Sequence, residues 1–288
     1  MNDHSLSKTI QITQKKLQYQ GISEADLNAK ILVEWVTGTT ASDRILQPNM
    51  CLSSDQLAQL EQAINRRIAG EPVYRIIGTR EFYGIPFTLS KDTLEPRSDT
   101  ETLVDLVLPI LKTYLEKSEQ TTLLDMGTGS GAIAIAILKQ IPQIYAVAVD
   151  ISEDALKTAT KNAQHANVAH RFTPLLSNWF DSVKGQFDLI ISNPPYIPEK
   201  EIKNLAKEVR QHDPLRALIG GEDGLDFYRK LAHESANYLK EKGYIAVEIG
   251  YSQEKEVCDL FKKNGFKCLK IREDLNRIPR ALLFSFTH

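Results

Sequence analysis

Residues 121–150 read TTLLDMGTGSGAIAIAILKQIPQIYAVAVD, and the order of apolar runs and glycines in this stretch decides the fold. The run at 122–126 (TLLDM) has the length of a buried strand and ends at three alternating glycines, Gly127, Gly129 and Gly131. AIAIAILKQ follows with helix length, and YAVAVD at 145–150 is again strand-like. Downstream, SEDALKTATKNAQHA (152–166) predicts a helix, RFTPLL (171–176) a weaker strand and FDLIIS (187–192) a buried-type strand. Such alternation predicts an α/β fold with a mostly parallel sheet covered by helices on both faces. A helix at 225–240, a strand at 243–249 and a helix at 252–264 follow, and GFKCLKIR and RALLFSF at the end can pair antiparallel.

Upstream of residue 75 the apolar period is helical and predicts three short helices: around Leu6, Ile10 and Leu17, then Leu27, Ile31, Leu32, Trp35 and Val36, then Leu57, Leu60, Ile64 and Ile68. Ser23 precedes the second and Gly38 follows it; Ser53 with Gln56 forms a capping-box pattern before the third, which stops at Gly70. TREFYGIPFTLS (79–90) places aromatic and β-branched residues on either side of Gly84, as in a β-hairpin. Ser98 and Glu101 form a second capping-box pattern ahead of Leu103, Leu106, Val107, Ile110 and Leu111. The expected organisation is a small helical bundle over 1–75, a hairpin linker over 76–97 and an α/β domain over 98–288. No internal repeat is visible.

With 42% hydrophobic and 25% charged residues in 288, disordered, collagenous and low-complexity classes are excluded, and the length suits two domains or one with an extension. The longest aliphatic stretch is Ala132–Leu138 and the first twenty residues lack an apolar segment, so neither a membrane span nor a signal peptide is expected and a cytoplasmic location is. Thirty-five basic against 37 acidic residues provide no chain-wide attraction to nucleic acid. Cys51, Cys258 and Cys268 form no C-x-x-C pair and are expected to be reduced and structural. His4, His165, His170, His212, His233 and His288 are scattered without metal-ligand spacing, so no metal is expected.

Three segments carry chemistry. Gly127-Thr128-Gly129-Ser130-Gly131, between a strand and a helix, lets backbone pass close to a flat or anionic ligand, and its spacing differs from the dinucleotide G-x-G-x-x-G. Asp150, at the end of the next strand, can accept hydrogen bonds from both hydroxyls of a ribose. Together they indicate an adenosine ligand, either NAD or S-adenosylmethionine. The third segment, Asn193-Pro194-Pro195-Tyr196 at the end of FDLIIS, favours the second. Its prolines fix φ and remove two donors, Asn193 adds a side-chain carbonyl and Tyr196 an aromatic face, a cradle suited to a planar NH2 group.

With these segments the sequence resembles the class I S-adenosylmethionine-dependent methyltransferases and, within them, the HemK/PrmC release-factor glutamine methyltransferases. The resemblance runs through RRIAGEPVYRIIGTREFYG (66–84), EPRSDTETLVD (95–105), DMGTGSGAIAIA (125–136), NWF (178–180), FDLIISNPPYIPE (187–199), RALIGGEDGLDFYR (216–229) and VEIG (247–250). One departure is Ser98, where the family has proline in I-P-R-P-D-T-E. The resemblance implies a class I methyltransferase, Rossmann-like, with an antiparallel C-terminal strand. It further implies methylation of the glutamine amide in the Gly-Gly-Gln motif of class I peptide-chain release factors, with the helical bundle docking that protein. Gly127, Thr128, Gly129, Ser130, Gly131, Asp150, Trp179 and Asn193 would hold S-adenosylmethionine, Trp179 bordering the adenine. Asn193, Pro194, Pro195 and Tyr196 would hold the substrate, with Asn193, Pro194 and Tyr196 catalytic. Gly220-Gly221-Glu222-Asp223-Gly224 reads as a turn before a helix with a structural role. The N-P-P-Y cradle also permits adenine N6 methylation of DNA or RNA, which the balanced charge disfavours, and a binding module without chemistry is disfavoured by the intact Asn193 and glycines.

Overall fold

The computed structural model describes residues 4–116 and 121–286; His288 lies outside the described residues. The chain divides into two compact units, one of residues 1–78 with 207–212, the other of 79–206 with 213–288.

The first unit holds α1 (Leu6–Tyr19), α2 (Ala25–Thr37), α3 (Ala41–Leu46), α4 (Ser54–Ile68) and α5 (Val73–Ile77). Its core joins Leu6, Ile10 and Leu17 to Leu32, Val33 and Val36 and to Leu60, Ile64, Val73 and Ile76. Three of these helices are those the periodicity predicts; α3 and α5, of six and five residues, are too short to show a period. The Ser53–Gln56 capping box forms, whereas Ser23 caps nothing. Glu24 takes the N-cap position of α2 in a left-handed conformation, and Asn28 Nδ2 donates to the Glu24 carbonyl at 2.9 Å.

The second unit begins with the antiparallel hairpin β1 (Thr79–Phe82) and β2 (Ile85–Thr88), turning at Gly84 with φ +73°. Phe82, Ile85 and Phe87 are buried in the core under the sheet, so the hairpin packs as part of this unit. Then follow α6 (Glu101–Leu115), β3 (Thr121–Met126), α7 (Ala132–Gln140), β4 (Ile144–Asp150), α8 (Glu153–His165), β5 (Phe172–Leu176), β6 (Phe187–Ser192), α9 (Lys207–His212), α10 (Asp226–Glu234), β7 (Leu239–Glu248), α11 (Glu254–Lys263), β8 (Phe266–Glu273) and β9 (Pro279–Phe286). The capping box expected at Ser98 is absent: Ser98–Thr100 is a single 3-10 turn, and Glu101 Oε1 instead accepts the Tyr83 backbone N–H at 2.7 Å. The helix expected over 225–240 stops at Glu234 because the chain returns to the sheet at Leu239, which pairs with Phe187 across a bulge.

The sheet runs in the order β5-β4-β3-β6-β7-β9-β8, its first five strands parallel and β9 antiparallel to both neighbours. This is the mostly parallel sheet with an antiparallel C-terminal strand that the sequence predicts. Helices α6, α7 and α8 cover one face, with Leu103, Val107, Ile135 and Ala159 in the core. Helices α10 and α11 cover the other with Tyr228, Leu231, Val257 and Phe261. Among the described residues no helix is long and apolar enough to cross a membrane. Successive strands step outward in opposite directions from β3 and β6, so the carboxyl ends of these two neighbours form the topological switch point where open α/β sheets bind ligands.

Two buried polar groups fix the turn after β3. Asn162 of α8 accepts the Thr88 N–H at 2.9 Å and donates through Nδ2 to the carbonyls of Thr88 at 3.1 Å and Ser130 at 2.9 Å, tying the hairpin to the glycine turn. Asn162→Ala removes these bonds and leaves buried backbone groups unpaired, and it is expected to cost about 2–3 kcal/mol, measured by urea unfolding. Asp125 is fully buried, and burial pushes its carboxyl up to about 7, against the opposing hydrogen bonds from Thr128 and the Ala134 backbone. The folded chain therefore holds this proton more tightly than the unfolded one. The contribution is full below about pH 4 and is lost as pH rises through 7. Between pH 5 and 8 the wild type is expected to lose about 2 kcal/mol more stability than Asp125→Asn; parallel pH profiles for the two proteins would rule this out.

Candidate active site

The turns after β3 and β4 and the residues after β5 enclose a cavity of about 360 Å³ at the carboxyl edge of the sheet, lined by Gly127, Gly129, Asp150, Trp179, Pro195 and Phe227, with Asp92 and Arg216 also at its wall. The glycine turn is drawn against β4: the N–H groups of Gly127 and Thr128 both donate to the Val149 carbonyl, at 2.9 and 2.8 Å. Gly129 N–H donates to Asp150 Oδ2 at 2.9 Å, and Asp150 Oδ1 accepts the Ser152 N–H at 2.9 Å. Asp150 is thus held rigidly, with acceptor capacity left for a further donor. Burial raises its pKa, and the backbone N–H groups of Ser152, Gly129 and Ile151 oppose the shift. Ser152 caps α8 through the Ala155 N–H.

Trp179 provides a flat apolar wall. It stacks on Phe227, ring centroids 4.8 Å apart and planes 29° apart, with its backbone in the left-handed region at φ +54°. A bulky side chain there carries a cost of about 1–2 kcal/mol, sustained only where neighbours fix the chain. Here they do: Phe180 is buried and stacked on Tyr238 at 4.6 Å, and the Ser182 N–H donates to Ser177 Oγ at 2.9 Å.

Asn193, Pro194, Pro195 and Tyr196 leave β6 directly, Ser192 being in register with Met126 on one side and Val247 on the other. Asn193 is half-buried, and its Nδ2 donates to Thr100 Oγ1 at 3.2 Å. The Tyr196 hydroxyl donates to Glu248 Oε1 at 3.4 Å, and burial pushes the phenol pKa strongly up, so it stays protonated. The Gly220–Gly224 segment supports this loop from behind. Ile197 and Ile219 form a parallel bridge, and a Cβ on Gly220 would stand 2.7 Å from the Pro195 carbonyl oxygen and 2.8 Å from Tyr196 Cα. Only glycine permits that approach. Gln253 joins three segments: Nε2 donates to the carbonyls of Tyr196 at 3.0 Å and Gly224 at 3.3 Å, while Oε1 accepts the Gly250 N–H at 2.9 Å.

Of the residues singled out in the sequence, Gly127, Gly129, Asp150, Trp179 and Pro195 line the cavity. Asn193, Pro194 and Tyr196 stand in the loop around Pro195 and are not among its lining residues. Thr128, Ser130 and Gly131 lie behind it: Thr128 Oγ1 donates to Asp125 at 2.7 Å, the Ser130 carbonyl accepts from Asn162, and Gly131 caps α7 at φ +83°, where a Cβ would come within 2.8 Å of Ile135. Sequence reasoning missed Thr100, Glu248 and Gln253, which act across long separations. It also missed Phe227, Asp92 and Arg216, whose place at the wall is set by the chain's path. Glu248 carried one signal, an acid inside the apolar run YIAVEIG that ends a core strand.

A family model described as "PrmC N-terminal domain" matches residues 9–78, and one described as "Methyltransferase small domain" matches residues 100–222. A protein of Agrobacterium fabrum named release factor glutamine methyltransferase is 43% identical over 98% of both chains. One of the same name from Bradyrhizobium diazoefficiens is 41% identical over 93% of this chain and 90% of its own. Among solved structures, the hMettl16 catalytic domain in complex with MAT2A 3'UTR hairpin 6 matches with a TM-score of 0.56 at 14% identity, over 82% of this chain and 83% of that one, a likeness of fold alone. The methyl donor of such enzymes is S-adenosylmethionine. The cavity fits it: its aromatic wall would take a flat base, the Asp150 carboxylate would accept from sugar hydroxyls, and the glycine turn, at φ +73° and +56°, leaves the floor free of side chains. By near full-length identity to these relatives, the chain belongs to the release factor glutamine methyltransferase family.

Proposed function

We propose that this protein methylates the side-chain amide nitrogen of the glutamine in the Gly-Gly-Gln motif of class I peptide-chain release factors. The observation that carries the reading is the Asn193–Tyr196 loop, fixed at the end of β6 beside the cavity and attached to it through Pro195. S-adenosylmethionine, when bound, supplies an electrophilic methyl group on a sulfonium centre. The residues of the chain must make a poor nucleophile serviceable, since an amide lone pair is delocalised into its carbonyl. Asn193 Oδ1 and the Pro194 carbonyl accept the two amide N–H bonds, which turns the nitrogen lone pair toward the cavity and draws electron density onto nitrogen. The prolines add carbonyls to this loop without adding competing N–H donors. The Tyr196 ring bounds the flat amide. Catalysis here is positioning and fixed electrostatics, with no strong base ahead of methyl transfer. Within the cavity Asp150, Trp179, Gly127 and Gly129 hold the cofactor, and Thr128, Ser130 and Gly131 hold the turn that shapes it.

The helical unit is assigned to gripping the release factor. In support, α3 buries none of its residues and leaves Ile45 and Leu46 about four-fifths and three-quarters exposed, an apolar edge suited to a protein surface. A cytoplasmic location, where translation runs, accompanies this substrate.

Peptide mapping by mass spectrometry after incubation of unmethylated release factor with the protein and S-adenosylmethionine should show one added methyl on that glutamine. An unlabelled release factor together with labelled duplex DNA or RNA would sink the reading. Asn193→Ala is expected to lower kcat by about 10²–10³-fold, while calorimetric affinity for S-adenosylhomocysteine stays within about threefold.

A further inference from the structure

The Asn193–Tyr196 loop is fixed by the sheet where it begins, at Ser192 paired with Met126 and Val247, and its two prolines leave it few backbone N–H groups with which to anchor its far end. Just beyond, the Ile197 N–H donates to the Leu218 carbonyl at 2.9 Å, but that contact ties one loop to another. The attachment to the sheet runs through a loop carbonyl and Gln253. Buried at the start of α11, Gln253 donates from Nε2 to the carbonyls of Tyr196 at 3.0 Å and Gly224 at 3.3 Å, and its Oε1 accepts the Gly250 N–H at 2.9 Å. Gly250 lies two residues past β7 and follows Ile249, whose N–H donates to the Arg280 carbonyl of β9 at 2.9 Å. Two glycines make the room for this. A Cβ on Gly224 would strike the Tyr196 carbonyl oxygen and stand 2.9 Å from Gln253 Nε2, and one on Gly250 would stand 2.8 Å from Gln253 Oε1 and 2.9 Å from Tyr196 Cδ2.

We infer that Gln253 is a positioning residue for methyl transfer: by fixing the main chain at Tyr196 it sets where Asn193 and the Pro194 carbonyl stand relative to the cavity. The carboxamide of Gln253 has one workable orientation, since both Nε2 hydrogens meet carbonyls and Oε1 meets an N–H. Turned over, it would set Oε1 against two carbonyl oxygens and NH2 against a donor. Gln253 and Gly224 stand outside the cavity lining, so the Tyr196 carbonyl is committed to the side away from the cofactor. Between the two anchors, Ser192 and Tyr196, Pro194 and Pro195 have fixed φ, which makes the span stiff. A displacement at Tyr196 is therefore passed on to Pro194 and Asn193 and not absorbed by the chain. Methyl transfer requires the accepting nitrogen in line with the bond that breaks, and a misplacement of about 1 Å costs up to about a hundredfold in rate. The glycine segment 220–224 thus does more than turn the chain: with Gly250 it makes the socket that lets Gln253 reach Tyr196.

The inference rests on the proposed glutamine methylation and is tested with the full-length protein on unmethylated release factor. Gln253→Glu keeps the size of the side chain and an acceptor for the Gly250 N–H while removing both donors. It is expected to lower kcat about ten- to a hundredfold and to leave KM and calorimetric S-adenosylhomocysteine affinity within about threefold. Gln253→Asn is one methylene too short to join the three segments, yet it suits the N-cap position of α11, which Gln253 occupies without a side-chain capping bond. It keeps the helix start, is expected to lose kcat to the same extent, and carries the test should Gln253→Glu not fold. In an Asn193→Ala background the further loss from either variant is expected to shrink to about threefold or less, because the misplaced loop no longer carries the group it positioned. Wild-type kcat in a folded variant, a loss that appears in KM or cofactor affinity in place of kcat, or losses that multiply with Asn193→Ala would each overturn the role. If wild-type protein leaves release factor unmodified, the functional reading fails instead, and the socket is judged by amide hydrogen exchange. The Ile197 amide should then exchange about tenfold faster in both variants, with the Gly250 amide faster in Gln253→Asn alone; an Ile197 amide that exchanges as in wild type would overturn it.

Discussion

The parallel pairing of β3 with both β4 and β6 is the constraint on which the rest of the structure depends. Because the next strand in sequence lies on one side and the later strand on the other, the connections that leave β3 and β6 diverge, and the gap between them is the cavity. The opposite end of the same strands is closed by charge. Asp188 Oδ2 accepts the Thr122 backbone N–H at 2.7 Å, the Thr122 hydroxyl at 3.0 Å and Lys240 Nζ at 2.7 Å, linking β3, β6 and β7 with one buried carboxylate. Register at one end therefore sets the relative height of Met126, Ser192 and Val247 at the other, and with it the height at which Gly127, Asn193 and Glu248 emerge.

The glycines of the turn after β3 divide their work. Gly131 is needed for packing, since its Cβ would strike Ile135 and press on Ala159 of α8. Gly127 and Gly129 have open space where a Cβ would go, so their left-handed φ values and the cavity in front of them account for their identity. Trp179 shows the converse economy: a bulky residue holds the left-handed conformation that glycine would adopt freely, with its ring at the cavity wall stacked on Phe227.

The sheet was legible because its strands are buried on both faces and read as short apolar runs between glycines, and because residues that end strands lie close in sequence to the strands that carry them. Gly127, Asp150 and Asn193 could be found in that way. The Ser98 capping box was misread for a local reason: Glu101 meets a stronger competitor in the Tyr83 N–H, eighteen residues away, and the chain tightens into a 3-10 turn. The two shortest helices carry too few residues to reveal a period. Gln253 and Glu248 were hidden because their shared partner, Tyr196, lies 57 and 52 positions away, and only the strand order shows that β7 runs beside β6.

Sequence spacing alone left the adenosine ligand open between a dinucleotide and S-adenosylmethionine until the Asn193 loop was weighed, and the hydrogen bonds of the glycine turn now separate the two on independent grounds. A pyrophosphate bound at such a turn needs backbone N–H groups directed at it and a helix N-terminus left open. Here Gly127 and Thr128 give their N–H groups to the Val149 carbonyl, Gly129 to Asp150 and Gly131 to the Thr128 carbonyl. Four of the five donors of the segment are thus committed within the protein, and the carboxylate of Asp150 closes over the turn where a diphosphate would need positive potential. What remains toward the cavity is glycine backbone, an aromatic wall, an acceptor-rich acid and Arg216, whose guanidinium is paired with Asp92 at 3.1 Å. Such a lining suits a ligand with a sugar hydroxyl pair and a cationic centre better than one with two phosphates, because each unpaired acceptor here would face a phosphate oxygen with like charge. The same turn that looks like a phosphate loop in one dimension is, in three, a loop that has used its anion-binding groups to fix the acid beside it.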